Sequence, residues 1–382
     1  MKHFWTSMIL LGISGQVLAQ RAVKIDVRMF ASNAGHWYGI KDDHNVIGPK
    51  KDQPKYKPTQ LREIGDNILL FQKNNGGWAK NYDIMAILTP VQKDSINNDK
   101  SNLNTTFDNG TSYTHVTGLA QIYEATQDQK YADGAIKGIN FILDAQYGNG
   151  GWPQYFPLQK GYSRHITFND DAYVGIMNTL KDIRDDRTRY GFVNGALRDR
   201  VSKAYDKGLE CILNSQINDF GEVTAWCQQH DEVTLQPDWA RAYEMPSICN
   251  AESAGIVQLL MDIDQPSARV VNAVKNAVNW FNESKIEGIR VKTVQAAPDT
   301  SRYTVSRVDR VVVQDPAAPP IWARFYELQT HRPIFCNRDG KIVYSLAEVA
   351  RERRSGYGWY TYNPQKVLDR YPAWAKKWNV TE

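Results

Sequence analysis

Apolar positions recur at helical spacing through most of the chain. Leu61, Ile64, Ile68 and Phe71 share one helical face, as do Val116, Leu119, Ala120 and Tyr123, while Ile136, Ile139, Phe141 and Leu143 give a broader one. Similar patterns predict helices over 171–185, 196–216, 251–263 and 267–283. At 286–314 the pattern changes: Ile289, Val291 and Val294, then Val311, Val312 and Val313, sit among charges and predict short strands. Residues 20–58 are rich in Lys and Gly with weak periodicity, and read as an irregular, partly exposed lead-in. The expected fold class is mainly α.

Two echoes organise the helices. Gln72, Asn75, Gly76, Gly77 and Trp78 return as Gln146, Asn149, Gly150, Gly151 and Trp152, 74 residues later, and a weaker third copy runs from Gln216 through Gly221 to Trp226. A period near 70 residues suits a helical hairpin with its loops, so the pattern predicts an α/α toroid whose loops emerge on one rim. Each Gly pair ends a helix, and Trp78 and Trp152 then either pack on that helix end or stack on a sugar. The second echo lies at helix starts: Thr106-Phe107-Asp108-Asn109, Thr167-Phe168-Asn169-Asp170 and Cys249-Asn250-Ala251-Glu252. Singly, such residues are N-caps. Converging on one opening, they form a hard-oxygen donor set for a Ca²⁺-type ion.

Composition narrows the partners little. With 46 basic and 42 acidic residues among 382, a net charge of +4 and a mean hydropathy of −0.53, the chain has a globular balance that implies neither nucleic acid nor an anionic membrane as partner. Lys2 and His3 precede an apolar stretch, 8–13, and Val17-Leu18-Ala19 suits a signal peptidase; cleavage after Ala19 leaves one domain, 20–382, exported to the periplasm or beyond the cell. No segment approaches the 18 apolar residues of a membrane span. Cys211, Cys227, Cys249 and Cys336 lack a CxxC pair and read as core residues or one optional bridge.

The C-terminal half adds arginines flanked by aromatics, Trp239-Ala240-Arg241-Ala242-Tyr243-Glu244 and Trp322-Ala323-Arg324-Phe325-Tyr326-Glu327, and a turn at Arg338-Asp339-Gly340. Such settings hold a guanidinium rigid against a carboxylate, whether structural or on a ligand. Together with Asn75–Asn81, Phe107–Gly110, Asn149–Gln154, His165–Asp170, Trp226–Asp231 and Arg332–Gly340, these motifs resemble the pectate lyases of polysaccharide lyase family ten over about residues 60–365, in family order.

The resemblance implies a toroid of α/α hairpins with a substantial irregular and short-strand portion forming a cleft, and Ca²⁺-assisted β-elimination of polygalacturonate. It implies Asp108 and Asp170 as metal ligands, Arg338 as the base, and Arg241, Arg324, Asn109 and Lys80 as substrate or orienting contacts. Trp78 and Trp152 join them as sugar-stacking candidates on the repeated rim loops, and the enzyme is expected to act as a monomer. Asp171 stands where a small residue is usual, Thr111-Ser112 replace an Ala-Thr pair, and Cys336-Asn337 replace a Ser-Gly pair before Arg338.

The chemistry suits these residue types. A base removes the C5 proton beside a uronate carboxylate and the C4 oxygen leaves, so cations must offset growing negative charge. For an arginine of pKa about 12.5 working at pH about 8.5, the neutral form costs about 5.4 kcal/mol, within the roughly 8–23 kcal/mol by which enzymes lower barriers. Two other readings compete: a glycoside hydrolase using Asp108 and Asp170 as acid and base, and a non-catalytic uronate-binding protein.

Overall fold

The computed structural model describes residues 24–39, 47–300 and 305–380. The leader expected at 1–19 lies outside them. Helices form where the periodicity placed them: α2 (Leu61–Phe71), α4 (Tyr113–Thr126), α5 (Gln129–Asp144), α6 (Ala172–Asp185), α7 (Gly195–Asn214), α8 (Asn250–Met261) and α9 (Ala268–Glu283). Local chemistry starts several of them. Asp128, Asn194 and Ser267 each accept a backbone N–H from the first turn of α5, α7 and α9.

The described residues of the lead-in are more regular than their composition suggested. They contain α1 (Ala31–Gly39), which buries Asn33 and Trp37. Three further helices went unread, α3 (Pro90–Asn98), α10 (Arg351–Gly356) and α11 (Asn363–Lys377); α10 is only six residues long, too short for a periodic stripe.

Hairpins α4/α5, α6/α7 and α8/α9 stand side by side, with α4 packed on α6 and α6 on α8. The second helices of the hairpins each bury one stripe, whereas α8 is apolar almost all round, as an inner helix must be. This is the α/α toroid. One rim carries the short connections, Gln127–Asp128 within the first hairpin and Asp262–Ser267 within the third. The other carries long ones, 72–112, 145–171, 215–249 and 284–350. Loops of such length are where a site is built.

The expected strands are present as a two-stranded antiparallel ribbon, Ile289–Thr300 against Val305–Gln314, which packs on α10. Shorter strands stitch the long loops together. Ile166–Thr167 pairs with Gln229–His230, Ile248–Cys249 with Phe325–Tyr326, and Trp322–Ala323 with Tyr360–Thr361. No described helix is long and apolar enough to cross a membrane.

Candidate active site

The repeated Gln–Gly–Gly–Trp loops explain how the rim is held. Gln72 Nε2 donates to the carbonyls of Gly76 (2.8 Å) and Gly134 (2.9 Å), Gln146 Nε2 to Gly150 (3.0 Å) and Ala204 (2.8 Å), and Gln216 Nε2 to Thr224 and Ala273 (both 3.0 Å). The indole N–H then returns to the preceding helix: Trp78 to the Ile68 carbonyl (2.8 Å), Trp152 to Ile142 (2.9 Å), Trp226 to Ile212 (2.8 Å). Trp322 does the same to Phe281 (2.8 Å), a fourth copy with no Gly pair to betray it in the sequence. Each bond caps a carbonyl in the last turn of a helix, which for Ile68 and Ile212 also accepts from Gln72 N and Ser215 Oγ.

The sugar-stacking expectation for Trp78 and Trp152 is therefore corrected. They are 0% and 1% exposed, because each ring is locked into the core by its own N–H and packs over a glycine, Gly138 under Trp78 and Gly208 under Trp152. Their part is one of positioning. The Trp78 carbonyl accepts from Thr106 N (2.9 Å), that of Trp152 from Thr167 N (3.1 Å) and that of Trp226 from Cys249 N (2.8 Å), so each fixes the start of the next helix.

Those starts carry the polar groups. The loops are tied edge to edge: Phe107 N donates to the Gln154 carbonyl, Phe168 N and Asn169 N to Gln228, Asn250 N to Arg324, and Arg324 N to Trp359. Asp108 and Asn169 follow equivalent phenylalanines, as do Asn109 and Asp170 one position on; the latter pair shares a left-handed backbone, φ 54° and 51°. Asn and Asp tolerate that conformation better than other non-glycine residues.

A cleft of about 220 Å³ opens between these loops, lined by Lys80, Asp108, Gln154, Tyr162, Asn169, Asp170, Gln229 and Arg241 among others. Lys80 Nζ lies 2.6 Å from Asp108 Oδ2. Burial works against both charges, but each outweighs it for the other: the Lys80 ammonium is raised, and the Asp108 carboxyl is held below its ordinary value by Lys80, with help from Gln154 and Arg241. Asp170 goes the opposite way. Burial of its surroundings, then the Asp108 charge, push it up to about 7, with Glu252 adding and Arg324 and Arg241 opposing. Asp171 is directed elsewhere; its Oδ1 lies where a Cβ on Gly255 of α8 would come within 3.2 Å.

The cations divide into three settings. Arg241 lines the cleft, with Nε 2.7 Å from Glu244 Oε2 and an Nη on Oε1. Glu244 is buried and also accepts from the Tyr357 hydroxyl (2.8 Å). Arg324 is not in the lining; it lies behind it, donating to Asn169 Oδ1 (2.8 Å) and to Glu252, with its guanidinium 4.7 Å from the Tyr357 ring centre. Burial opposes the charge of both arginines, and Glu244 and Glu252 raise them regardless. Arg338 is also outside the lining, gripped in parallel by Glu352 at 2.9 and 2.8 Å and set 5.5 Å from the Tyr243 ring. Asn109 turns from the cleft altogether: it is buried and donates to Asn81 Oδ1 (3.0 Å), whose backbone N–H reaches Asn33 of α1.

The only His and acidic group that meets metal-ligand spacing among the described residues is His165, Asp231 and Glu232. Glu232 is already paired with Arg164 (2.5 Å) and His165 (2.9 Å), and Asp231 Oδ1 accepts from the backbone N–H groups of Val233 and Thr234. Glu244, three residues after Arg241, and Glu252, at the third helix start, stood in motifs the sequence marked. Residues that sequence reasoning missed are Gln154, Gln229, Tyr243, Arg353 and Tyr357, which no spacing rule marks as part of the site.

Residues 72–368 match the family described as pectic acid lyase. Among solved structures, a family 10 polysaccharide lyase from Cellvibrio cellulosa is 32% identical with a TM-score of 0.70, over 84% of this chain and 92% of that one. A point mutant of a family 10 polysaccharide lyase from the same organism, in complex with trigalacturonic acid, is 31% identical at the same TM-score, over 83% and 92%. No curated protein matches the chain.

Proposed function

Because the chain belongs to the pectic acid lyase family and is a polysaccharide lyase, we propose that it cleaves α-1,4-linked polygalacturonate by calcium-assisted β-elimination, giving 4,5-unsaturated oligogalacturonides. The observation that carries this reading is the cleft itself, where Asp108 and Asp170 share one opening with Arg241. A hydrolase needs the two carboxylates but not the arginine. A binding protein needs the arginine but not a carboxylate pair that repels the anionic ligand.

The donor set fits Ca²⁺. It consists of hard oxygens, Asp170 is pushed up to about 7 by burial and then by the Asp108 charge, both of which a bound cation would offset, and the side-chain amide oxygens of Gln154 and Gln229 in the lining have no protein partner. Asp108 and Asp170 would hold the ion, which when bound offsets the charge that grows on the uronate carboxylate. Lys80 meanwhile holds Asp108 ionised and its side chain in the cleft wall.

The geometry favours Arg241 over Arg338 as the group that takes the C5 proton. Arg241 is in the lining beside both carboxylates, whereas Arg338 stands outside it, doubly held by Glu352. Glu244 favours the protonated form of Arg241, so the acting base is its minor neutral guanidine: the C5 proton passes to it, the C5–H electron pair forms the C4=C5 double bond, and the C4–O bond breaks with the pair on the departing oxygen. Arg324, fixed by Asn169 and Glu252, supports the carboxylate-binding wall from behind. A polymeric substrate agrees with export, and with the leader pattern around Val17-Leu18-Ala19.

The test is to incubate polygalacturonate with the protein, with calcium or a chelator, and follow ultraviolet absorbance of the unsaturated product. Absorbance that grows with calcium and stops with chelator is expected. Reducing sugar without absorbance would establish a hydrolase, and binding without turnover at any pH would establish a binding protein.

A further inference from the structure

Resting on the lyase reading above, we propose that Arg353 is a positioning residue of the active site, a buried cation that acts on Arg241 through the rings of Tyr243 and Tyr357. Arg353 belongs to α10, is 8% exposed, and places its guanidinium 4.7 Å from the Tyr243 ring centre and 5.2 Å from that of Tyr357. The two rings meet edge to face at 5.4 Å. Arg241 stands over the same pair, 5.0 and 6.0 Å from their centres.

The charge of Arg353 is what sets it apart. Arg241, Arg324, Arg338 and Arg354 each have a carboxylate, Glu244, Glu252, Glu352 and Asp309 in turn. Among the described residues Arg353 has no ion pair; an Nη donates to the Gly356 carbonyl (3.0 Å), and its Nε has no partner. A buried guanidinium with no carboxylate in contact is costly to keep, and Glu352, already gripped by Arg338, offers it only a longer-range attraction. Here the ring faces supply the compensation, and Gly356 supplies the room, since a Cβ there would come within 3.2 Å of Nη2.

Two effects follow. Tyr357 donates to Glu244 while packed on Arg353, so Arg353 fixes the glutamate that aims Arg241. Its positive charge, balanced by ring faces and only partly offset by Glu352, also disfavours the charged form of Arg241 and attracts uronates. The other charges around it largely cancel. On α10, Glu352 is taken by Arg338 and Arg354 by Asp309 of the ribbon; Arg351 donates to ribbon carbonyls, Arg310 of the ribbon reaches the Tyr357 carbonyl, and Glu244 faces Arg241.

The test compares wild type with Arg353→Met, Arg353→Lys and Gly356→Ala, using the full chain with calcium. Arg353→Met fills similar space without charge. It is expected to move the rising alkaline limb of the pH–rate profile up by about half a unit to one unit, the effect of removing a nearby like charge. It should also weaken trigalacturonate binding, read by calorimetry, by about tenfold, with Arg353→Lys restoring most of both. Gly356→Ala, which keeps every charge and disturbs Arg353 alone, should give a smaller shift the same way and carries the test if Arg353→Met does not fold. A folded Arg353→Met with unmoved limb and affinity, or an Arg353→Lys as defective as Arg353→Met, overturns the proposal. Wild-type protein that forms no unsaturated product overturns the lyase reading instead, and the calorimetric arm still decides on Arg353.

Discussion

The two walls of the cleft are built on different plans. The carboxylate wall is repetitive: Asp108 and Asp170 sit at equivalent helix starts, each hung from the carbonyl of a buried tryptophan by the same backbone bond. The arginine wall has no period. Arg241, from the 215–249 connection, alone reaches the lining; Arg324 and Arg338, from 284–350, and Arg353, from α10, stand behind it, and all four converge on two tyrosine rings. The difference extends to charge. Asp170 is poised near pH 7 to gain or lose its proton, whereas three of the arginines are clamped by glutamates. A repeat fixes where a group stands; one-off contacts decide how firmly it is held.

The largest expected effect lies on the arginine wall. Arg241→Ala should lower kcat on polygalacturonate by about 10³-fold, the scale of a lost general base. Arg338→Ala, outside the lining, should cost about tenfold and mainly in KM, as loss of a remote charge-assisted contact. Initial rates of unsaturated product measure both. If Arg338→Ala were instead the one that abolished kcat, the base would be Arg338, as the family resemblance alone suggested.

The repeat answers to a backbone change instead. Gly150 has φ 95°, and a Cβ there would lie 2.0 Å from the Lys207 carbonyl oxygen. Gly150→Ala should therefore destabilise by about 3 kcal/mol, combining left-handed strain with a clash that backbone must absorb. Urea unfolding would show it as a lower midpoint at unchanged slope. A loss below 1 kcal/mol would mean that the loop is not held as the repeat implies.

A pH series sharpens the contrast between the walls. Without metal, Asp170 titrates at about 7 in the fold against an ordinary 3.8, so the folded state keeps its proton longer. Its contribution to stability then falls as pH rises from about 4 through 7. Asp170→Asn should flatten that part of the curve, and calcium at pH 8 should raise the melting temperature of wild type but not of the variant. Thermal melts that rise from pH 4 to 8 equally in both proteins would remove Asp170 from the account.

Much of this was legible in the sequence, for reasons that follow the same division. Apolar periodicity revealed α2 and α4 to α9, as stripes in most and as a nearly continuous apolar run in α8, and the Gln–Gly–Gly–Trp echo revealed the rim, because both depend on local spacing. The same spacing placed Asp108 and Asp170 at matching helix starts but one position out of step, Asp108 with Asn169 and Asn109 with Asp170, so it was the family resemblance that picked out the two carboxylates. What spacing does not encode is direction. It placed Asn109 beside Asp108 without showing that Asn109 turns to Asn81, and it placed Arg338 in a turn without showing Glu352 across from it. Arg353, Tyr357 and Glu244 are set by contacts more than 100 residues apart in the chain, as Tyr357 with Glu244 shows.

The smallest effect concerns a residue read in two ways. Trp152 follows a Gly pair on the rim, which suits a sugar platform, yet the ring is 1% exposed and its N–H is bonded to Ile142. Trp152→Phe keeps most of the apolar volume, removes that one bond and leaves a buried carbonyl without its donor. A loss of about 1–2 kcal/mol is expected, read by urea unfolding, with KM for polygalacturonate and kcat within about twofold of wild type because Thr167 N still finds the residue's backbone carbonyl. A variant of wild-type stability that bound trigalacturonate tenfold more weakly would put the ring on the sugar instead. The carboxylate wall would then touch its substrate through the repeat itself.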